Sequence, residues 1–272
     1  MSLAPDRPPT VSWDGLFETD FYGESRFTFV ASDDYGVSDG QVTITLDLET
    51  LDRRYGLSAQ PRDLTPIILD LPMPLSGNRL EFTSKMVEDF SRSTWSNLPV
   101  KITLEGRDAL DQRSQTKQVA TLLPGRKFFD PLAAALVEQR RDLLWSNENA
   151  PRVANILRAI GHKRETVFRK ETDYLKLRFI IKHLEADYSN DLLDVRRDEL
   201  AEALWDLALS IEDDDALEDA LARMRRAQER LSQAMKNGAS SEEIAELMRE
   251  LKRANEDYLR QLSRDCLLYT SD

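Results

Sequence analysis

Few side chains in this 272-residue sequence have the types and spacing that catalysis or metal binding requires. His162 and His183 are the only histidines, and neither has a cysteine or a second histidine at the spacing of metal ligands. Glu202 and Asp206 lie four positions apart and could form a carboxylate pair for general acid and base catalysis. The same spacing is ordinary in helices, so we favour a structural role for this pair.

Asp33, Asp34 and Asp39 are candidate calcium ligands, because carboxylate oxygens are the ligands that hard cations prefer. The segment also fits a turn. Asp33 and Asp34 offer side-chain acceptors, and Gly36 is free to adopt a positive φ. We favour the turn, and the calcium hypothesis stays open.

The chain lacks the usual motifs of cofactor enzymes and carries a strong negative charge. It contains no glycine-rich phosphate loop, no Gly-x-Ser-x-Gly elbow and no dinucleotide fingerprint, so no cofactor is predicted. A formal net charge of -12 repels phosphate backbones, so no nucleic acid partner is expected. No stretch approaches the roughly 18 uninterrupted apolar residues of a membrane span, and the chain as given is expected to be soluble.

The elements that must position these side chains change type near Phe128. Before it, apolar and polar side chains alternate with a period of about two, and after it the apolar period is about 3.6. The first part predicts seven strands, at residues 10–13, 26–31, 41–48, 65–69, 80–86, 100–105 and 117–123. Seven short strands without a helical interruption favour an antiparallel immunoglobulin-like sandwich, with Trp13 and Trp95 in its core.

The second part predicts only helices. Asp130 and Asn149 are expected N-caps of helices that begin near Pro131 and Pro151. Further helices are expected from Glu171, from Ser189 or Asn190 to Ile211, and from Ala216 to Lys236 after an interruption at the three aspartates 213–215. The last helix starts at the capping box formed by Ser240 and Glu243.

The final two helices should form an antiparallel hairpin with narrow apolar stripes. The predicted fold class is therefore α+β in two segregated parts, a sandwich and then an all-α bundle that ends in a long helical hairpin. The expected domains are residues 1–127 (sandwich), 128–212 (bundle) and 213–265 (hairpin). Residues 266–272, which include Cys266, break the charged-helix pattern and are expected to be a non-native tail.

Several segments, taken in order, resemble one uncharacterised bacterial membrane-anchored family. They are residues 4–10, 33–37, 95–100, 123–128, 136–141, 204–213 and 238–251. The resemblance implies an internal fragment of a longer protein that has two or three N-terminal membrane helices and a long extramembrane region. It implies a parent anchored in the inner membrane with this region on the periplasmic side. It brings no catalytic residues.

The architecture and the missing motifs favour a non-catalytic scaffold or protein–protein interaction module of a cell-envelope protein. A narrow apolar stripe on the hairpin stays wet unless it meets another helix, so a protein partner or self-association through the hairpin is predicted. The membrane would be reached only through segments absent from this chain. Two alternatives stay open: an enzyme or enzyme subunit acting on cell-wall or polysaccharide material, and a calcium-dependent adhesion module.

Overall fold

The structure, a computed structural model, describes residues 6–15, 17–20, 23–74, 79–162, 164–188, 194–236 and 240–268. Contacts between Cα atoms divide the chain into two compact units. The first unit consists of Met1–Lys127 with Arg141–Arg152, and the second consists of Phe128–Arg140 with Val153–Asp272. The first contains the strands, and the second is helical, which confirms the predicted fold class.

The first unit is built from two antiparallel sheets. One sheet contains β1 (Thr10–Trp13), β2 (Glu18–Thr19), β3 (Glu24–Ser32) and β6 (Glu81–Asp89). Strand β3 is central, since its residues 29–32 pair with β1 on one side and with β6 on the other. The other sheet contains β4 (Val37–Leu46), β5 (Ile67–Asp70), β7 (Pro99–Asp108), β8 (Arg113–Gln115) and β9 (Val119–Leu122).

All seven predicted strands are present, and the order of the strands is that of an immunoglobulin-like sandwich. Two short edge strands, β2 and β8, were not predicted. Segments of two and three residues are too short to show an alternating pattern. The predicted end of the strand at 41–48 is also too late, because β4 ends at Leu46 and Asp47 begins a turn.

Alternate side chains of the long strands form the sandwich core. Phe27, Phe29 and Ala31 of β3 face Val100, Ile102 and Leu104 of β7 across the interior, and all six are buried. Trp95 is buried as predicted, whereas Trp13 is only partly buried and packs edge-on against Phe17 at a ring-centroid distance of 5.4 Å.

Asp47 is a buried carboxylate just beyond β4. It accepts hydrogen bonds from Thr50 Oγ1 at 2.9 Å and pairs with Lys101 Nζ at 3.0 Å. The hydrogen bond from Lys101 lowers the pKa of Asp47 below its usual value, and burial opposes this effect. A carboxyl group with a lowered folded-state pKa stabilises the fold above its unfolded pKa of about 3.9, and this stabilisation is lost as the pH falls through the folded value.

We therefore predict that Asp47→Asn lowers the melting temperature at pH 7 and that the difference from wild type shrinks below about pH 4. Thermal melts followed by circular dichroism between neutral and acid pH measure this. The exposed Asp70→Asn serves as the control. A difference that stays constant over the whole pH range would show that the lost contact is not ionic.

Residues 141–152 belong to the first unit, where they form a helical corner that packs against the strand-containing segment. Trp145 is 1% exposed, and its Nε1 donates to the carbonyl of Ala59 at 3.0 Å. The Asn149 amide donates to the carbonyls of Gly56 at 2.9 Å and Asp142 at 2.7 Å. The prediction that Asn149 is an N-cap is therefore wrong, because its side chain serves long-range contacts inside a 3₁₀ turn.

The helices are α1 (Pro131–Trp145), α2 (Ala150–Gly161), α3 (Arg164–Val167), α4 (Glu171–Tyr188), α5 (Asp194–Lys236) and α6 (Ser241–Leu268). Asp130 caps α1 as predicted, since its Oδ1 accepts from the backbone N–H groups of Leu132 at 2.7 Å and Ala133 at 2.8 Å. Among the described helices, none combines the length and the apolar character that crossing a bilayer requires.

The predicted interruption at residues 213–215 is wrong, because α5 continues through them without a break. An aspartate inside a helix costs about 0.7 kcal/mol at most relative to alanine, and the segment contains no glycine or proline. Ending the helix and starting another would lose several backbone hydrogen bonds, and the second helix would require its own unfavourable nucleation step. The predicted domain boundary at 212/213 thus falls inside α5. The predicted helix start at Ser189 or Asn190 lies outside the described residues.

The first half of α5 forms the core of the second unit. Leu200, Leu204 and Leu207 are buried, and Trp205 packs edge-on against Phe128 with ring centroids 5.4 Å apart. The guanidinium of the buried Arg140 lies 5.1 Å from the centre of the Trp205 ring. The charge of Arg140 is thereby held against an aromatic face.

The buried carboxylate of Glu212 fixes the start of α1 to α5. It accepts from the backbone N–H of Phe129 at 2.9 Å and 3.0 Å, and from that of Asp130 at 2.9 Å. We predict that Glu212→Ala lowers the free energy of unfolding by about 2–3 kcal/mol, since buried donors to a charged acceptor lose their partner.

Glu212→Gln should cost roughly half as much, because one acceptor oxygen remains. The exposed Glu256→Ala is the control and should change stability by less than about 0.5 kcal/mol. Urea unfolding followed by far-ultraviolet circular dichroism measures all three. A Glu212→Ala variant as stable as Glu256→Ala would contradict the contact.

Candidate functional site

The second half of α5 and the whole of α6 form an antiparallel hairpin. Arg230 of α5 forms an ion pair with Glu250 of α6. The turn between the helices lies outside the described residues, including the predicted stop at Asn237 and Gly238. At its far side the predicted cap is confirmed, since Ser240 Oγ accepts from the backbone N–H of Glu243 at 3.2 Å.

Burial falls sharply along α5 and stays low through α6. From Ala220 to Lys236, only the small side chains of Ala220 and Ala227 are buried. No described side chain of α6, from Glu243 to Leu262, is buried. The residues of intermediate burial in α6 include Leu247, Leu251, Ala254 and Tyr258, and their spacing of three and four residues marks the seam against α5. Two helices alone therefore leave this seam partly wet.

One flank of the seam is apolar in both helices. Successive helical residues turn by about 100°, so Met248 and Leu259 of α6 share a face and lie beside the seam rather than in it. Because the helices are antiparallel, the matching flank of α5 lies on the same side of the hairpin. We call this surface the apolar face. Its members are Leu221, Met235, Ile244, Met248 and Leu259.

The apolar face is open to solvent. Met235 is 61% exposed, Met248 59% and Leu259 52%. The other described positions of this flank include Gln228, Ser232 and Asn255, and two cations, Arg225 and Lys252, lie at its outer edge. A mainly apolar strip on an otherwise highly charged hairpin is the kind of surface that binds another helix.

The opposite flank is charged. A groove of about 760 Å³ runs along it between the two helices. Its lining includes Arg223, Arg226, Arg230, Glu250, Arg253 and Asp257. Arg230 and Glu250 pair across the helices here. Exposed charged groups are well hydrated, so burying this flank would not be favoured as burying the apolar face is.

The three predicted calcium ligands make different contacts. Asp33 Oδ2 accepts from the backbone N–H of Tyr35 at 3.0 Å and of Gly36 at 2.7 Å, and Gly36 has a φ of +109°. The favoured turn is thus present. Asp39 instead forms hydrogen bonds of 3.0 Å and 2.6 Å with Arg107, which lower the pKa of its carboxyl group. The carboxylate of Asp39 is therefore already paired with a positively charged side chain.

The other candidate side chains are not brought together as catalytic groups. Glu202 pairs with Arg140 at 3.0 Å, and Asp206 is exposed. His183 lies against the ring of Phe179 with centroids 4.1 Å apart, and His162 lines an open cleft of about 650 Å³ beside α4. Within the described part of the chain, no three histidine, cysteine, aspartate or glutamate side chains surround a point where a metal could sit. The side chain of Cys266 lies outside the description.

Sequence reasoning missed two carboxylates. Asp6 and Asp108 join Asp33 and Asp34 at one end of the sandwich, where all four carboxylates are near one another. Asp108 could have been recognised from the sequence, because it places a charged residue at an inward-facing position of the alternating strand β7. Asp6 gave none, since its approach depends on the fold.

Comparisons with known proteins give a family but no activity. A family model described as a domain of unknown function (DUF4175) matches residues 1–267. No curated protein and no solved structure matches the chain.

Proposed function

We propose that this chain, which belongs to the DUF4175 family, is a non-catalytic scaffold module that acts by self-association through the apolar face of its hairpin. The observation that carries the proposal is the exposure of Met235, Met248 and Leu259 on one flank of the hairpin. No described side chain of α6 is buried to compensate for it. The apolar face is therefore a surface that a second pair of helices would cover.

Covering the apolar face contributes favourable free energy to a contact between two copies. Removing half of a leucine or methionine side chain from water contributes about 1 kcal/mol. Three such side chains per copy, counted on both copies of a symmetric pair, offer about 6 kcal/mol before the cost of association is subtracted. The partly wet seam residues beneath them would lose water at the same time.

A second copy of the chain is the occupant that the charges favour. From Ala220 to Lys236, α5 carries five cations and one anion, whereas α6 carries four cations and five anions from Glu243 to Leu262. A two-fold pair that lays α5 of each copy on α6 of the other brings opposite net charges together. Two hairpins joined in this way form four antiparallel helices around one core.

We also propose that the module belongs to a bacterial cell-envelope protein, with this region on the periplasmic side of an inner-membrane anchor. The resemblance to a membrane-anchored family supports this. Protease added to intact spheroplasts should digest this region of the full-length parent protein. Protection until the membrane is lysed would place the region in the cytoplasm.

Sedimentation velocity over a range of concentrations tests self-association. We expect the intact chain to shift from monomer to dimer as its concentration rises. A monomer at every concentration would contradict self-association. If a monomer were instead captured by the helix of another protein through Met248 and Leu259, the apolar face would bind a heterologous partner and the proposed second copy would be wrong.

A further inference from the structure

Asp108 is a buried carboxylate at a position where the fold predicts an apolar side chain. In β7 the side chains of Val100, Ile102 and Leu104 point into the sandwich. Gly106 and Asp108 occupy the next two inward-facing positions of the strand. It is 4% exposed. Its Oδ1 accepts from the backbone N–H groups of Leu110 and Gln112, each at 2.8 Å. Its Oδ2 is buried and accepts no hydrogen bond.

Three more aspartates meet Asp108 at this end of the sandwich. Gln112, whose N–H binds Asp108, donates its side-chain Nε2 to Asp6 Oδ2 at 2.8 Å. Asp34, Asp33 and Asp108 are all close enough to Asp6 to act on its charge. Burial, the neighbouring carboxylate of Asp34 and the surrounding negative charges raise the pKa of the Asp6 carboxyl.

Three carboxylate oxygens of this cluster lack hydrogen-bond partners. Among the described side chains, three buried carboxylate oxygens have no hydrogen-bond partner: Asp6 Oδ1, Asp33 Oδ1 and Asp108 Oδ2. All three belong to the cluster. Burying a carboxylate oxygen without a partner is costly, and a group of them is explained most directly by a cation that the oxygens would share.

We propose that Asp6, Asp33, Asp34 and Asp108 form a calcium site at this end of the sandwich. Asp33 and Asp108 are each anchored through one oxygen by backbone N–H groups, which leaves the other oxygen fixed and free for a cation. In the structure described here no three carboxylates yet surround a common point. Binding would therefore draw Asp6 and Asp34 toward the two anchored carboxylates.

Calcium fits this set better than magnesium does. Calcium accepts six to eight oxygens at about 2.3–2.6 Å in a flexible arrangement, so four carboxylates from separate turns, completed by water, can serve it. Magnesium requires a near-ideal octahedron at about 2.0–2.1 Å, which four repelling carboxylates on different segments do not offer. The site differs from the one predicted from the sequence, since Asp39 is replaced by Asp6 and Asp108.

Calorimetric titration of the intact, chelator-treated chain with calcium chloride tests the site. We expect saturable binding with a Kd of about 10⁻⁵ to 10⁻³ M. The melting temperature should rise with calcium and fall back to its original value when EGTA is added. Asp108→Asn should weaken binding at least about tenfold. Asp34→Asn should do so as well, and because Asp34 is exposed, this variant keeps the test valid if Asp108→Asn fails to fold.

The control is Asp52→Asn, an exposed aspartate paired with Arg54 on the same unit, which should leave calcium binding unchanged. Three results would overturn the site: no heat and no thermal shift at millimolar calcium, equal weakening in Asp34→Asn and Asp52→Asn, or an equal response to magnesium. The last two would mean that divalent ions act only on the net negative charge. The hairpin is intact in every variant, so failure here leaves the proposed function untouched.

Discussion

Replacing Arg152 with alanine is expected to lower the free energy of unfolding of the first unit by about 3 kcal/mol. The Asp142 side chain is 1% exposed, and its Oδ2 lies 2.5 Å from Arg152 Nη1. Without Arg152 the buried carboxylate keeps only the longer contact with Arg141, at 3.5 Å. An uncompensated buried charge costs about 3–5 kcal/mol, and the remaining contact places this variant at the lower end.

Urea unfolding followed by tryptophan fluorescence measures this effect, because Trp13, Trp95 and Trp145 all lie in the first unit. The matched control is Arg54→Ala, which removes an arginine whose ion pair with Asp52 is exposed on both sides. It should cost less than about 1 kcal/mol. Equal effects of the two variants would mean that the corner at residues 141–152 does not anchor the sandwich.

The double variant Met248→Gln with Leu259→Gln is expected to weaken self-association by at least about a hundredfold. Each substitution exchanges about 1 kcal/mol of apolar burial for the cost of covering an amide, and a symmetric dimer contains four such sites. Both side chains are more than half exposed, so the monomer should remain as stable as wild type.

The matched control is the double variant Arg249→Gln with Arg260→Gln. These residues have the same eleven-residue spacing on α6 but lie away from the apolar face. Sedimentation equilibrium should give a dimer constant within about threefold of wild type for the control, since exposed charges contribute little. A control that weakens the dimer as much as the apolar pair would mean that charge, and not the apolar face, holds the copies together.

Local patterns predicted much of this fold. Alternation identified all seven principal strands, and the caps at Asp130 and Ser240 were correct because a cap depends on residues within one turn. The errors at Asn149 and at residues 213–215 have a common origin. In each, a local preference yields to a larger interaction: the long-range bonds of Asn149 in one case and the continuity of α5 in the other.

The candidate sites were predictable only in part. The narrow stripe of the hairpin was visible in the sequence, because helical spacing fixes which side chains share a face. The meeting of Asp6 with Asp108 was not, since these residues are far apart in the chain and are joined through Gln112 only after the sandwich closes. For the same reason Asp39 was a plausible ligand until its pairing with Arg107 was known.

A photoreactive amino acid placed at Met248 tests the central claim most directly. Upon irradiation of the intact chain, the claim that the apolar face joins two copies predicts a covalent dimer whose crosslinks map to α5 or α6 of the second copy. The same group placed at Arg249 should give little dimer. Crosslinks from Met248 only within its own chain, or equal dimer yields from the two positions, would contradict the claim.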